Sequence, residues 1–170
     1  MKTTIRKFIG TVLVLSVIAM GIGPAAAATR KLDKQKNAEV SDGVVLEWIE
    51  IARQQIFPNG PPFEAARRMA MVQVAVFEAV NAITGKYQPY LGSVSASDGA
   101  SAEAAAIVAS WGVLDKFYGP NNPGLAARRD QSLSSIPNGQ AKTDGISVGQ
   151  SAADAVWANR VNDGSAPPIF

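Results

Sequence analysis

The sequence predicts an all-α fold, a helical bundle of about five helices. Apolar residues recur at helical spacing in five segments, and clusters rich in proline, glycine or asparagine separate these segments. No run alternates apolar and polar residues between hairpin turns, and no repeat of fixed period occurs. The chain of 170 residues is long enough for one domain with an apolar core and too short for two comfortable ones.

The N-terminus has the pattern of a secretory signal peptide over residues 1–28. Three basic residues precede an apolar run over residues 8–22, and small residues follow Pro24. We expect cleavage near Ala27 or Ala28 and therefore a periplasmic or secreted protein, without a membrane association after cleavage. The alternative, an uncleaved membrane anchor, is disfavoured because the apolar run is short for a bilayer span.

Removal of residues 1–28 brings the chain close to neutrality. These residues hold three of the 16 lysines and arginines and none of the 14 aspartates and glutamates, so 13 basic and 14 acidic residues remain. Such a balance gives no reason to expect a nucleic acid or an anionic surface as a partner. Residues 29–40 are predicted to form a flexible charged leader, and residues 41–170 the helical domain.

The sequence contains neither cysteine nor histidine. Without cysteine, an exported chain has no disulfide bond and must hold its fold by burial alone. Without either residue, it cannot form a Ser-His-Asp or Cys-His site, or a zinc or haem site with histidine ligands. Carboxylate or Ser–Lys chemistry stays open, but no Ser-x-x-Lys motif and no glycine-rich phosphate loop occur. We therefore assign no catalytic, cofactor-binding or metal-binding residue.

The first predicted helix covers residues 41–57. Ser41 or Asp42 is its expected N-cap, and the prolines and glycine of residues 58–62 end it. Its apolar positions fall near helical spacing: Val45, Trp48, Ile49, Ala52 and Ile56.

The second predicted helix covers residues 62–83 and is expected to lie at the centre of the bundle. Pro62 suits its first turn, and Gly85 is its expected left-handed C-cap. Apart from one narrow charged side, nearly the whole circumference is apolar, which is typical of a central helix. Gln73 lies about opposite that side, so we expect it to be buried and hydrogen-bonded, with a structural role. The charged side consists of Glu64, Arg67, Arg68 and Glu78.

Residues 86–99 are predicted to form a loop with a tail rich in serine and glycine. Tyr87 and Tyr90 lie on either side of Pro89. We expect both rings to pack on the bundle, because aromatic side chains contribute large buried areas. An aromatic binding platform is the alternative.

The third predicted helix covers residues 101–118. Ser101 or Asp98 is its expected N-cap. Its many alanines indicate that neighbouring helices approach it closely.

The fourth predicted helix covers residues 123–135, with Asn122 as its cap and Pro137 as its end. A charged cluster on this helix is interpreted as a solvated surface. The cluster consists of Arg128, Arg129 and Asp130.

The fifth predicted helix covers residues 140–164 and stops at Gly164. Gly145 and Gly149 lie inside it, which is compatible with a helix only where another helix crosses closely. The sequence NDGS at 162–165 shares residues with a calcium loop but lacks the remaining ligand spacing, so it is predicted to be a turn.

Five stretches within residues 44–165 form an ordered set: VVLEWIEIAR, PPFEAARRMAMVQVAVFEAVNAI, KYQPY, ASAEAAAIVASWGVL and LSSIPNGQAKTDGISVGQSAADAVWANRVNDGS. In this order they resemble the N-terminal half of exported bacterial proteins of the vanadium-dependent haloperoxidase and type 2 phosphatidic acid phosphatase (PAP2) superfamily. The resemblance implies a helical bundle that holds vanadate or phosphate. In that family a Lys and Arg pair, a Ser-Gly-His segment and a later Arg and His bind the oxyanion, all in the C-terminal half.

None of these family residues can be carried over to this chain. No lysine is followed seven positions later by Arg-Pro, no Pro-Ser-Gly-His occurs, and histidine is absent. An oxyanion site without them has no nucleophile, no metal ligand and no general acid. Five other basic residues offer oxyanion contacts, but they match no family motif and lie on faces predicted to be exposed. They are Arg67, Arg68, Arg128, Arg129 and Lys142.

Two hypotheses for the function follow. In the first, the chain is the N-terminal scaffold portion of a haloperoxidase or PAP2-like phosphatase, truncated and inactive without the catalytic half, which alone would bind vanadate or phosphate. In the second, it is a short exported helical module for binding or assembly, which self-associates as a homo-oligomer or docks on a separate catalytic chain. Phosphatase or peroxidase activity in this chain alone is disfavoured.

Overall fold

A computed structural model describes residues 24–119 and 122–165, with side chains described from residue 29 onward. Within these ranges the chain forms α-helices and no strand, which confirms the all-α fold class. A 3-10 turn at Phe57–Asn59 follows the second helix. The helices are α1 (Pro24–Asn37), α2 (Asp42–Ile56), α3 (Pro62–Thr84), α4 (Ala102–Tyr118), α5 (Gly124–Ser134) and α6 (Gln140–Arg160).

The five predicted helices correspond to α2 to α6, and most of their expected end signals are confirmed. The Ser41 hydroxyl oxygen accepts a hydrogen bond from the N–H of Val44 at 3.4 Å, which caps α2. The hydroxyl of Ser101 caps α4 in the same way, at 3.2 Å from the N–H of Ala104. Gly85 ends α3 in the left-handed region, at φ 62°.

Two expected helix ends are wrong. Asn122 does not cap α5 with its side chain; its amide nitrogen instead donates to Gln55 Oε1 at 2.6 Å. The last helix ends at Arg160 rather than at Gly164. Arg67 donates a hydrogen bond to the carbonyl oxygen of Arg160 at 2.7 Å, so a side chain from α3 satisfies a carbonyl at the end of α6. The expected turn follows this end of α6.

The predicted leader of residues 29–40 is helical up to Asn37. Its side chains are mostly exposed, and it reaches the domain through an ion pair from Lys34 to Asp98 at 2.7 Å. Asn37 also donates to the carbonyl oxygen of Gly99 at 3.2 Å. An exposed ion pair of this kind adds little stability. Residues 1–23 and 166–170, and with them most of the predicted signal peptide, lie outside the described residues; the expected cleavage positions fall within α1.

The central helix of the bundle is α4, and the prediction that α3 holds this place is wrong. Eleven of the 17 residues of α4 are buried, and the helix packs against α2, α3, α5 and α6. Helix α3 packs against α2, α4 and α6 and leaves part of its apolar surface open, including Phe63 at 75% exposure. Ala104 and Ala105 lie where α6 approaches α4 closely, whereas α3 leaves the large side chains of Phe63 and Phe77 in contact with solvent.

Helices α4 and α6 cross in close contact at the two glycines of α6. This confirms the expectation that another helix crosses closely where glycines lie inside a helix. A Cβ atom placed on Gly149 would lie 2.5 Å from the carbonyl oxygen of Ala105. One placed on Gly145 would meet the carbonyl of Ser101 and lie 3.0 Å from Ala104 Cβ. Since α4 presents backbone at both points, only glycine fits there.

The apolar core surrounds α4. Trp48 of α2 is 2% exposed, and its indole N–H donates to the Ser132 hydroxyl at 3.3 Å. That hydroxyl donates to Glu47 Oε1 at 3.0 Å, so this buried polar contact is satisfied. None of the described helices combines the length and apolarity that a membrane span requires. The largest fully buried apolar side chains are Trp48, Ile56, Ile107, Leu114 and Leu125.

Candidate functional site

The first candidate site lies where the N-terminal half of α3 meets the end of α6. Arg67 and Arg68 were expected on an exposed face, but their side chains are only 30% and 22% exposed. Besides its bond to the Arg160 carbonyl, Arg67 Nη2 lies 3.1 Å from Asp163 Oδ1 and 3.2 Å from Asp163 Oδ2. The prediction of exposure is wrong for Arg67 because α6 ends against this part of α3. It is wrong for Arg68 because Tyr118 of α4 and the 3-10 turn contact its guanidinium.

The side chain of Arg68 is bonded to residues of three different elements. Its guanidinium donates to Glu64 Oε2 at 2.7 Å, to the Tyr118 hydroxyl at 2.9 Å and to the carbonyl oxygen of Asn59 at 3.2 Å. It also lies over the ring of Phe117, 5.3 Å from the centroid. Arg68 therefore links α3, α4 and the 3-10 turn, and its structural contacts use much of its donor capacity.

Arg67 and Arg160 face a common cavity of about 250 Å³, which we call the arginine cleft. Arg160 donates to the hydroxyl of Tyr90 at 2.5 Å at the edge of this cleft. Arg67 Nε is buried and has no hydrogen-bond partner among the described residues. A second cavity of about 310 Å³ adjoins the cleft and shares both arginines. The remaining walls of the cleft are mainly apolar: Ala70, Met71, Val74, Leu91 and Val156.

Asp163 is the carboxylate of the arginine cleft. The hydroxyl of Ser165, and after it the Ser165 N–H and the Arg67 guanidinium, hold the pKa of Asp163 below its ordinary range. Asp163 is therefore ionised at neutral pH and balances one of the two arginines. Counted over the described lining residues, two guanidinium groups and one carboxylate give the cleft a net charge of +1.

The other basic residues named from the sequence lie apart from this cleft. Arg128 is exposed on α5. Arg129 stacks over the ring of Trp111 at 4.1 Å and pairs with Asp130 at 2.7 Å, so it is less solvated than predicted. Lys142 donates to the carbonyl of Ile136 and to Asn138, both on the α5–α6 connection. The structure thus brings Arg67 and Arg68 together and leaves Arg128, Arg129 and Lys142 elsewhere.

Arg160 is the residue that the sequence pattern did not single out. A helix predicted to run to residue 164 places Arg160 inside its last turns, without a reason to face α3. Arg160 itself and Asn162 were the available signals, because a basic residue in the last turn and an asparagine just after it favour a helix end there.

The second candidate site is a groove of about 440 Å³ between the start of α2, the segment before it and the C-terminal half of α3. We call it the apolar groove. Gln73 faces it and is half-buried, with only a 3.9 Å contact from its amide nitrogen to Met69 Sδ. The expectation of a buried, well-bonded Gln73 is therefore wrong. Apolar and aromatic side chains dominate the walls: Val40, Val45, Val76, Phe77, Val80 and Tyr87.

The loop after α3 is fixed beside this groove by polar residues of α3. Asn81 donates to the carbonyl of Tyr87 at 2.7 Å and accepts from its N–H at 2.8 Å. Glu78, expected on the exposed charged side, is 2% exposed and accepts from the N–H of Tyr90. Tyr87 and Tyr90 themselves are 69% and 58% exposed, so the expectation that their rings pack on the bundle is wrong for most of their surface.

Within the described residues, no group of three or more acidic side chains is placed to hold a metal ion.

The chain is an all-α bundle with a cationic cleft on one part of α3 and an apolar groove on another. No protein-family model matches the chain, and neither a curated protein nor a solved structure does. The resemblance to the haloperoxidase and PAP2 superfamily stays a prediction.

Proposed function

We propose that this chain is a non-catalytic helical scaffold of an exported haloperoxidase-like or PAP2-like protein. Its task is to pack against further helices through the outer surface of α3. The residues that bind vanadate or phosphate would then be supplied by helices outside this sequence. The open apolar groove beside α3 is the observation that carries the proposal.

The groove has the composition expected of a surface that another helix covers. Phe77 on its wall is 37% exposed, and Leu46 on the neighbouring α2 is 63% exposed. Amphipathic helices bind in apolar grooves by inserting side chains spaced three and four residues apart. Apolar surface that stays in water is unfavourable, so its burial supplies the free energy of association.

The composition supports a role without catalysis. The chain has no histidine and no cysteine for a nucleophile, a general base or a metal ligand. In the arginine cleft, Asp163 is ionised and paired with Arg67 rather than placed to transfer a proton. Purified protein should therefore show no turnover above background with vanadate and halide, or with a phosphate ester. Reproducible turnover would overturn this part of the proposal.

The DNA after codon 170 tests the scaffold role directly. It should encode, in some reading frame, a lysine followed by Arg-Pro, a Ser-Gly-His segment and a later arginine and histidine. Intact unrelated genes at this place would remove the main support for the scaffold role and favour the alternative.

The alternative is an assembly module in which a second copy of the chain covers the apolar groove. Light scattering would then give a monodisperse oligomer, and Phe77→Glu should convert it to monomers. Phe57→Glu is the matched control, because Phe57 is 54% exposed and lies outside the groove. A wild-type monomer contradicts self-association and leaves the scaffold role as the better account of the groove.

A further inference from the structure

We propose that the arginine cleft binds a small carboxylate with a compact apolar body, such as an aromatic acid. The site consists of Arg67 from α3 and Arg160 from the end of α6, above apolar walls. The inference does not depend on the scaffold role, because the residues that line the cleft and those that line the apolar groove do not overlap.

The charge of the cleft favours a monoanion. Among the described residues that line the cleft, Asp163 is shared between two guanidinium groups, which leaves one positive charge in excess. A bound carboxylate would balance it, and guanidinium groups match the two oxygens of a carboxylate in geometry. A phosphate dianion would instead leave excess negative charge in a cleft with mainly apolar walls, where its desolvation is costly.

Arg67 is bonded to the protein through Nη2 of its guanidinium. Its Nη2 is occupied by Asp163 and the carbonyl of Arg160, but its buried Nε has no partner among the described residues. Because Nε is buried, a carboxylate in the cleft would be bound through the terminal nitrogens of Arg67 and Arg160. The hydroxyl of Tyr90, already held by Arg160, adds a further polar group at the edge of the cleft.

The size and walls of the cleft select the rest of the ligand. A dry cavity of about 150 Å³ holds a benzene ring, so the 250 Å³ cleft has room for one ring with its carboxylate. The apolar lining residues are Ala70, Met71, Val74, Leu91 and Val156. Contact with these side chains removes the apolar surface of the ligand from water, which is favourable.

Titration calorimetry of the purified protein tests the site with three probes: benzoate, benzyl alcohol and inorganic phosphate. Benzoate should bind saturably with one site per chain, whereas the alcohol and phosphate should bind at least about tenfold more weakly, the loss expected for one charge-assisted hydrogen bond. Arg160→Gln should weaken benzoate binding by a similar factor. The control Arg128→Gln removes the same charge from an exposed position on α5 and should change the affinity by less than about twofold.

The test has outcomes that overturn the proposal. Absence of saturable benzoate binding, equal affinity for benzyl alcohol or phosphate, or equal affinity of Arg160→Gln and wild type would each do so. Circular dichroism verifies that Arg160→Gln is folded. If it is not, the methyl resonances of Val156, which lines the cleft, give the answer in the wild-type protein: they should shift during benzoate titration and stay unchanged with benzyl alcohol. An unchanged resonance in both titrations refutes the site.

Discussion

Gly149 lies where α6 crosses α4, and its replacement by alanine tests whether backbone contact sets the distance between these helices. The added Cβ atom would lie 2.5 Å from the Ala105 carbonyl oxygen, 2.9 Å from Val108 Cβ and 3.0 Å from the Ala109 nitrogen. Two of these three atoms belong to the backbone of the central helix. Neither can move aside by a change of rotamer, so α6 itself must shift.

The size of the effect follows from two opposing contributions. The contact with Ala105 has to lengthen from 2.5 Å to the 3.4 Å of an ordinary van der Waals contact. Overpacking of this kind costs about 1–3 kcal/mol, and alanine offsets up to about 1 kcal/mol of it through its higher helix propensity. Because two of the clashing atoms are backbone, the overpacking cost should lie in the upper part of this range, at about 2–3 kcal/mol. After the offset, we expect Gly149→Ala to lower the free energy of unfolding by about 1–2 kcal/mol.

Urea denaturation followed by circular dichroism measures this change, with the free energy of unfolding extrapolated to water. Gly43→Ala is the matched control. A Cβ atom on Gly43 in α2 meets only Ser41 Oγ, at 3.9 Å, so this variant should be as stable as wild type or more stable by up to about 1 kcal/mol. A Gly149→Ala protein that is as stable as wild type would refute a contact-limited crossing.

Two further predictions concern the loop after α3 and the end of α6. Asn81→Ala removes both hydrogen bonds to the Tyr87 backbone and should cost about 1–3 kcal/mol of stability, with faster hydrogen exchange at the Tyr87 amide; unchanged exchange would show that Asn81 does not hold the loop. For Asp163, the lowered pKa means that its stabilising contribution is present above the unfolded-state pKa and is lost as the pH falls through the lower folded-state pKa. Urea midpoints of Asp163→Asn should therefore fall less steeply than those of wild type below about pH 4, and parallel curves would contradict the assignment.

The helices and their ends were predictable where the signal is local. Ser41 and Ser101 accept hydrogen bonds within their own first turns, and Gly85 takes the one backbone conformation that other residues avoid. Such contacts depend on residues three or four positions apart, which the sequence displays directly. The two glycines of α6 were also informative, because inside a helix they required a close neighbour.

Burial was less predictable because it depends on which helices meet. Glu78 lies on the charged side of α3 in sequence, yet the loop that carries Tyr90 folds over it. Apolar circumference placed α3 at the centre, whereas the structure packs α4 against four helices and leaves Phe63 and Phe77 of α3 exposed. Arg160 became part of a site only because Arg67, far away in the chain, binds the end of its helix. These outcomes are set by tertiary contacts rather than by local pattern.

The alanines of α4 also affect the conformational entropy of folding. Five of its buried residues are alanines, and a sixth buried position is Gly112. Neither residue type loses rotamer freedom when it is buried, whereas each leucine or isoleucine loses about 0.5–1 kcal/mol. The central helix is thus ordered without freezing many side-chain torsions. The entropy cost of ordering its side chains falls mainly on Ile107, Val108, Val113 and Leu114.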